Sequence, residues 1–133
     1  MMKRVLIADD NVYVRDLVHT FLKGAPDILV CGEATSGAEA IEKAKELQAD
    51  VVLLDLSMPS MNGVEAASIL KRTVPGVRVV MFTLYSDNIP KNAISEMGVD
   101  VVLSKTDGIA HLVDSINAAY EAGDGGRAGL NPA

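Results

Sequence analysis

Five residues spread over almost the whole chain carry side chains suited to a single chemistry: Asp9, Asp10, Asp55, Thr83 and Lys105. All stand at the ends of short apolar runs. Asp9-Asp10 follows Val5-Leu6-Ile7-Ala8, and Asp55 follows Val51-Val52-Leu53-Leu54. Thr83 follows Val79-Val80-Met81-Phe82, and Ser104-Lys105 follows Val101-Val102-Leu103. A fold that gathers these ends brings three carboxylates together. At an effective dielectric of 20, two charges about 4 Å apart repel by about 4 kcal/mol. Either one acid keeps its proton or cations sit among them. A divalent ion resolves the conflict, and a site with few protein oxygen ligands suits Mg²⁺.

Phosphoryl transfer to a carboxylate uses such a set. Asp55 is the candidate nucleophile, attacking an activated phosphoryl group in line. That reaction needs little covalent help and much charge neutralisation. In this reading Mg²⁺ is held by Asp10 and Asp55, by Asp9 through a bound water, and by the backbone carbonyl of Ser57. The Thr83 hydroxyl donates to one phosphoryl oxygen, and Lys105 neutralises another as a point charge. Taken singly, the residues have plainer explanations. Asp9 or Asp10 is also a reasonable cap for a helix starting near Asn11, and Asp55 a turn acid before Pro59. Thr83 reads equally as a strand-end threonine and Lys105 as a solvated lysine. Their joint order along the chain favours the shared site.

The elements that must position them alternate regularly. With Ile28-Leu29-Val30, the apolar runs number five and are rich in β-branched residues. Most are continuous, as in strands buried on both faces. Between the first two, Val14, Leu17, Val18, Phe21 and Leu22 form one helical face. Ile109, Leu112, Val113, Ile116 and Tyr120 repeat that stripe near the end. Ser36-Gly37-Ala38-Glu39 is a capping box opening a helix whose apolar face is Ala40, Ile41, Ala44 and Leu47. Asn62-Gly63-Val64-Glu65 opens another, with Gly63 allowing a tight entry. Pro90 and Gly98 bracket a short helix with little to bury. The pattern predicts an α/β fold: an open, doubly wound, five-stranded parallel sheet with helices on both faces. Ligands of such sheets gather outside the carboxyl ends of the strands.

Composition sets the remaining bounds. A chain of 133 residues, 49% hydrophobic with mean hydropathy +0.23, is long enough for one domain with its own core. A net charge of −6 makes it a poor ligand for nucleic acid or anionic membrane. The single cysteine, Cys31, excludes an internal disulfide or a cysteine-based zinc site. No signal-peptide pattern is visible, and no apolar run approaches the roughly 20 residues that span a bilayer, so a cytoplasmic protein is expected. His19 and His111 read as helix-surface histidines away from the acidic rim. The expected division is one domain over 1–122, then a flexible Gly-rich tail or linker start over 123–133.

Together Asp9-Asp10, Asp55 within Leu53-Leu54-Asp55-Leu56-Ser57-Met58-Pro59, Thr83 and Lys105 make the chain resemble the receiver domain of a two-component response regulator. The likeness covers residues 3 to about 122 and is closest to receivers coupled to helix-turn-helix domains. It implies a flavodoxin-like strand order 2-1-3-4-5, Asp55 as phosphoacceptor, Mg²⁺ dependence, and a sensor histidine kinase or phosphotransfer protein as donor. It also implies a switch over the region from Thr83 to Lys105 that acts on an output domain, a second copy or another partner, with transcription as the downstream process if a helix-turn-helix domain follows. Two positions depart from the pattern. Val102 stands where many receivers have an aromatic ring, and Thr106 where many have proline. Ser57 and Tyr85 occupy the positions at which the family tunes access of hydrolytic water. Two other readings compete: a receiver-like interaction module that is never phosphorylated, and a haloacid-dehalogenase-type phosphatase. The second usually needs an acid two residues after its nucleophile, where this chain has Ser57.

Overall fold

The structure, a computed structural model, describes residues 2–58, 61–84, 96, 98–106 and 108–130, with 122–130 as backbone alone. Five strands form one parallel sheet: β1 (Lys3–Ala8), β2 (Ile28–Ala34), β3 (Val51–Asp55), β4 (Arg78–Thr83) and β5 (Val101–Ser104). Their spatial order is β2-β1-β3-β4-β5, the flavodoxin-like order. Between them run helices α1 (Val12–Leu22), α2 (Gly37–Glu46) and α3 (Gly63–Thr73). A 3₁₀ turn over Ile109–His111 leads into α4 (Leu112–Leu130).

Period-two alternation along the strands splits the core into two layers. Leu6, Val52, Leu54, Val79 and Met81 face Ala40, Ala44, Ala66, Ala67 and Leu70 of α2 and α3. Val5, Ile7, Leu53, Val80 and Phe82 face Val18 and Leu22 of α1 and Leu112, Ile116 and Ala119 of α4. The alanines of α2 and α3 let those helices lie close to the sheet. Fully burying one Leu or Ile stabilises the fold by about 1.5–3 kcal/mol, so both layers contribute substantially.

The strand register positions the rim. Ala8 is level with Leu54, Asp55 with Phe82, and Thr83 with Ser104. By that register Asp9 is level with Asp55, Thr83 lies one residue further along and Lys105 two, all at the carboxyl edge of the sheet.

Local signals hold with several adjustments. The Ser36 hydroxyl accepts the Glu39 N–H at 3.1 Å, but the Glu39 carboxylate reaches back to the N–H of Thr35 at 2.6 Å, one residue before the cap. On α1, the row Val14, Val18, Leu22 packs inward, whereas Leu17 and Phe21 are 45% and 40% exposed. With Tyr13 they form the adjacent i, i+4, i+8 row, turned about 100° from the sheet, so the five-residue stripe is wider than the face the sheet can cover. Strand β2 runs beyond its apolar start to Ala34, with a register shift that leaves Cys31 unpaired between Val30 and Gly32. Gly98 adopts φ +80°, as expected where a helix stops, while Pro90 and most of the short helix it was expected to open lie outside the described residues. The backbone of α4 continues through the first part of the stretch expected to be a Gly-rich tail. Among the described residues no helix is long and apolar enough to cross a membrane.

Candidate functional site

The carboxyl ends of β1, β3 and β5 converge on an open cleft of about 200 Å³, bordered by Asp9, Asp10, Asp55, Ser57, Leu84 and Lys105. Asp9 and Asp55 are 2% and 5% exposed, and Asp10 is exposed. One carboxylate oxygen from each of the three lies within 4.8 Å of the others. Lys105, its side chain only 12% exposed, places Nζ 2.6 Å from Asp9 Oδ2 and 3.3 Å from Asp55 Oδ1. It is thus no solvated lysine. Its Nζ also lies 5.9 Å from the centroid of the Phe82 ring, so the ammonium has an aromatic neighbour as well as two acids.

The turn after β1 sorts the roles of its acids. Asn11, not Asp9 or Asp10, caps α1: its Oδ1 accepts the N–H groups of Tyr13 at 2.9 Å and Val14 at 3.3 Å. Asp9 Oδ1 accepts the Asn11 N–H at 2.9 Å, which orients the carboxylate and leaves Oδ2 to face Lys105. Asp9 Oδ2 is buried and accepts no hydrogen bond, so the ion pair is its compensation. Asp55 Oδ1 accepts the Ser57 N–H at a longer 3.3 Å. Burial pushes the Asp55 carboxyl above its ordinary value and the Asp9 charge pushes it further, against the opposing pull of Lys105.

Gly63 keeps this arrangement compact. A Cβ there would sit 2.5 Å from the Asp55 carbonyl oxygen and 2.8 Å from Leu56 Cα, both backbone atoms. The Gly63 N–H donates to the Leu56 carbonyl at 2.8 Å, tying the start of α3 to the loop behind Asp55. The tight entry expected of this glycine is therefore an approach to the backbone of the acid itself.

Thr83 closes β4 on the same rim, and its carbonyl accepts the Lys105 N–H at 2.9 Å. It is fully buried and does not line the cleft, whose edge there is the exposed Leu84. Val102 is partly buried and packs toward the α2–α3 layer. Tyr85 lies outside the described residues. His19 and His111 stand on α1 and at the end of the 3₁₀ turn, and neither borders the cleft. Arg15 escapes a reading of the sequence, yet it touches the site: its Nη1 donates to the Asp9 carbonyl at 2.7 Å. No local pattern announces it, because its position on α1 gains meaning only once β2 lies alongside.

The donor set fits a hard divalent cation. Three carboxylate oxygens lie within 4.8 Å of one another, the ammonium contacts two of those acids, and an open cleft borders all three.

A doubly wound parallel sheet with a buried acid pair, a third acid and a bridging lysine at its carboxyl rim defines a class of small α/β module. The model of the response regulator receiver domain matches residues 5–117, and the chain belongs to that family. The response regulator protein VraR of Staphylococcus epidermidis is 37% identical over 121 residues, covering 91% of this chain and 58% of that protein. VraR of Staphylococcus saprophyticus is 38% identical over 117 residues, 88% of this chain and 56% of that one. The chain thus spans little more than half the length of these curated relatives. Among solved structures, the response regulator domain of Thermotoga maritima CheB matches with TM-score 0.82 and 29% identity, covering 91% of this chain and 98% of that one. A LuxR-family two-component response regulator from an Aurantimonas species matches with TM-score 0.80 and 25% identity, covering 92% and 87%.

Proposed function

We propose that the chain receives a phosphoryl group on Asp55 from a phosphohistidine of a sensor kinase or phosphotransfer protein. The observation that carries this reading is the Lys105 ammonium held between Asp9 Oδ2 and Asp55 Oδ1. Such a lysine keeps a buried acid ionised and stands ready to neutralise an incoming phosphoryl oxygen. A carboxylate oxygen of Asp55 attacks phosphorus in line; a new O–P bond forms as the N–P bond to the donor imidazole breaks. Burial and the Asp9 charge make Asp55 more basic than an ordinary aspartate, which favours attack, while Lys105 limits its protonation.

Asp9, Asp10 and Asp55, with the backbone carbonyl of Ser57, would hold Mg²⁺. When bound, that ion neutralises charge on the transferring group. The Thr83 hydroxyl is assigned to a phosphoryl oxygen, and it would have to leave its buried position to reach it. The region from Thr83 to Lys105 would carry the change to a partner. Hydrolysis of the acyl phosphate would reset it slowly, with Ser57 and Tyr85 assigned by the family resemblance to the control of water access, so the chain is a signalling phosphoacceptor rather than a turnover enzyme. A receiver over 1–122 followed by a linker start, joined to a helix-turn-helix output domain in a cytoplasmic transcription regulator, agrees with the partial coverage of VraR.

The test is intact-mass spectrometry after incubation with acetyl phosphate and Mg²⁺. Wild type should gain one phosphoryl group, and neither Asp55→Asn nor wild type in excess chelator should gain any. Unlabelled wild type, or a labelled Asp55→Asn, refutes the assignment.

A further inference from the structure

Behind the acidic cleft, one guanidinium ties the first acid to the neighbouring edge strand. From α1, Arg15 Nε donates to Glu33 Oε1 at 2.6 Å while its Nη1 donates to the Asp9 carbonyl at 2.7 Å. Glu33 is the penultimate residue of β2, and it is held in turn. Its Oε2 lies 2.7 Å from His19 Nε2, and its carbonyl accepts Lys43 Nζ at 2.6 Å. The Asp9 N–H donates to the Ala34 carbonyl at 3.0 Å. The Asp9 peptide is therefore gripped on both sides by the end of β2, directly through its N–H and through Arg15 at its carbonyl.

We propose that Arg15 is a positioning residue of the cation site. It holds the β1–α1 turn so that Asp9 and Asp10 stay against Asp55 despite their mutual repulsion. The three acids gain electrostatic relief if the turn swings outward, because Asp10 already faces solvent. Two restraints oppose that movement at the Asp9 peptide, and Arg15 supplies one. The geometry requires a planar fork. A single nitrogen at the end of a lysine cannot reproduce the two divergent N–H vectors, from Nε and Nη1, that reach Glu33 and the Asp9 carbonyl at once. An ion pair with Glu33 for its own sake would be worth little, since that carboxylate is 39% exposed. The effect falls instead on where the Asp9 and Asp10 oxygens sit, as for outer-shell groups that orient metal ligands.

This inference rests on the phosphoacceptor reading above, and the experiment separates the two. Mg²⁺ is titrated by calorimetry into wild type, Arg15→Lys, Arg15→Met and Glu33→Ala, and acetyl phosphate labelling of each is followed against Mg²⁺ concentration. Labelling of wild type but not Asp55→Asn tests the reading itself. With that in hand, the Arg15 variants should bind Mg²⁺ about tenfold more weakly, the lower end of the outer-shell range. Their labelling should half-saturate at correspondingly higher Mg²⁺ and approach the wild-type rate at saturation. Glu33→Ala should shift in the same direction, and its effect should not add to that of Arg15→Met. Arg15→Lys preserves charge and helix propensity, so it keeps the test open should Arg15→Met or Glu33→Ala unfold. Calorimetric affinity within twofold of wild type in the folded variants overturns the proposal. So does a labelling rate lowered equally at all Mg²⁺ concentrations, the mark of a structural role alone.

Discussion

Replacing Asp55 by Asn should stabilise the protein in the absence of divalent ions and destabilise it relative to wild type once Mg²⁺ is added. The magnitude follows from three opposing effects on the Asp55 charge. At an effective dielectric of 20, an Asp9 oxygen at the 4.8 Å limit of the cluster repels Asp55 by about 3.5 kcal/mol. At the same dielectric, Lys105 at 3.3 Å attracts it by about 5 kcal/mol. The difference, about 1.5 kcal/mol in favour of ionisation, must meet a desolvation penalty of several kcal/mol for a buried ion. Desolvation wins, consistent with an Asp55 carboxyl lying above its ordinary value. Neutralising the group while keeping its shape and its contact with the Ser57 N–H should therefore raise unfolding free energy by about 1–2 kcal/mol at neutral pH.

The pH dependence has a definite sign. Between the ordinary carboxylate value and the raised one, the folded chain holds a proton that the unfolded chain has released. The contribution of Asp55 to stability is then largest at the acidic end of that window and is lost as pH rises through it. Urea unfolding followed by circular dichroism, with chelator and across that window, should show the gap between variant and wild type opening as pH rises. Mg²⁺ at 100 times its dissociation constant should then add about 2.7 kcal/mol to wild type and far less to the variant. A variant no more stable than wild type in chelator, or a gap that closes toward neutral pH, would refute the charge accounting.

Gly63→Ala should cost about 1–3 kcal/mol in urea unfolding, since its Cβ meets the Asp55 and Leu56 backbone rather than a side chain able to turn aside. A cost below about 0.5 kcal/mol would show that the start of α3 yields easily. Lys105→Met should leave two buried carboxylates without their ammonium and cost about 3–5 kcal/mol near neutral pH. Part of that loss should return on acidification, and unfolding curves that do not change with pH would count against it.

Much of this architecture is legible in the sequence because it depends on short-range regularities. Apolar runs mark four of the five strands nearly to their ends, and Ser36 and Asn62 announce their helices by capping chemistry that operates within three residues. The rim is legible for a further reason. Parallel strands linked by right-handed crossovers bring their carboxyl ends together, so residues from Asp9 to Lys105 become neighbours without any long-range pattern in the sequence. What stays hidden depends on rotation and lateral placement. Helical period selects a broad face on α1, but the sheet covers only the Val14, Val18, Leu22 row and leaves Leu17 and Phe21 in water. The second half of β2, Cys31-Gly32-Glu33-Ala34, lacks strand-forming composition and is drawn into the sheet by pairing with β1 around an unpaired Cys31. The contact from Arg15 to Glu33 needs both of those placements to be known first.

Lys105 shows the same limit from the other side. Its sequence position locates it at the rim, and the resemblance assigns it to a phosphoryl oxygen. Before any phosphoryl group arrives, however, its ammonium already lies closer to Asp9 than to Asp55. The two assignments concern successive states of one charge. A buried acid cluster cannot wait empty of cations, and an incoming anionic group needs a cation beside it. If Asp55 is phosphorylated as proposed, a flexible point charge at the end of β5 would meet both needs by moving from carboxylate to phosphoryl oxygen, a shift a rigid guanidinium fork would resist. Lys105→Arg should therefore preserve the charge balance that supports folding while slowing acetyl phosphate labelling of Asp55, a separation that unfolding and mass-labelling measurements on the same variant can read. Equal labelling rates for the two would mean that the ammonium stays with Asp9 throughout.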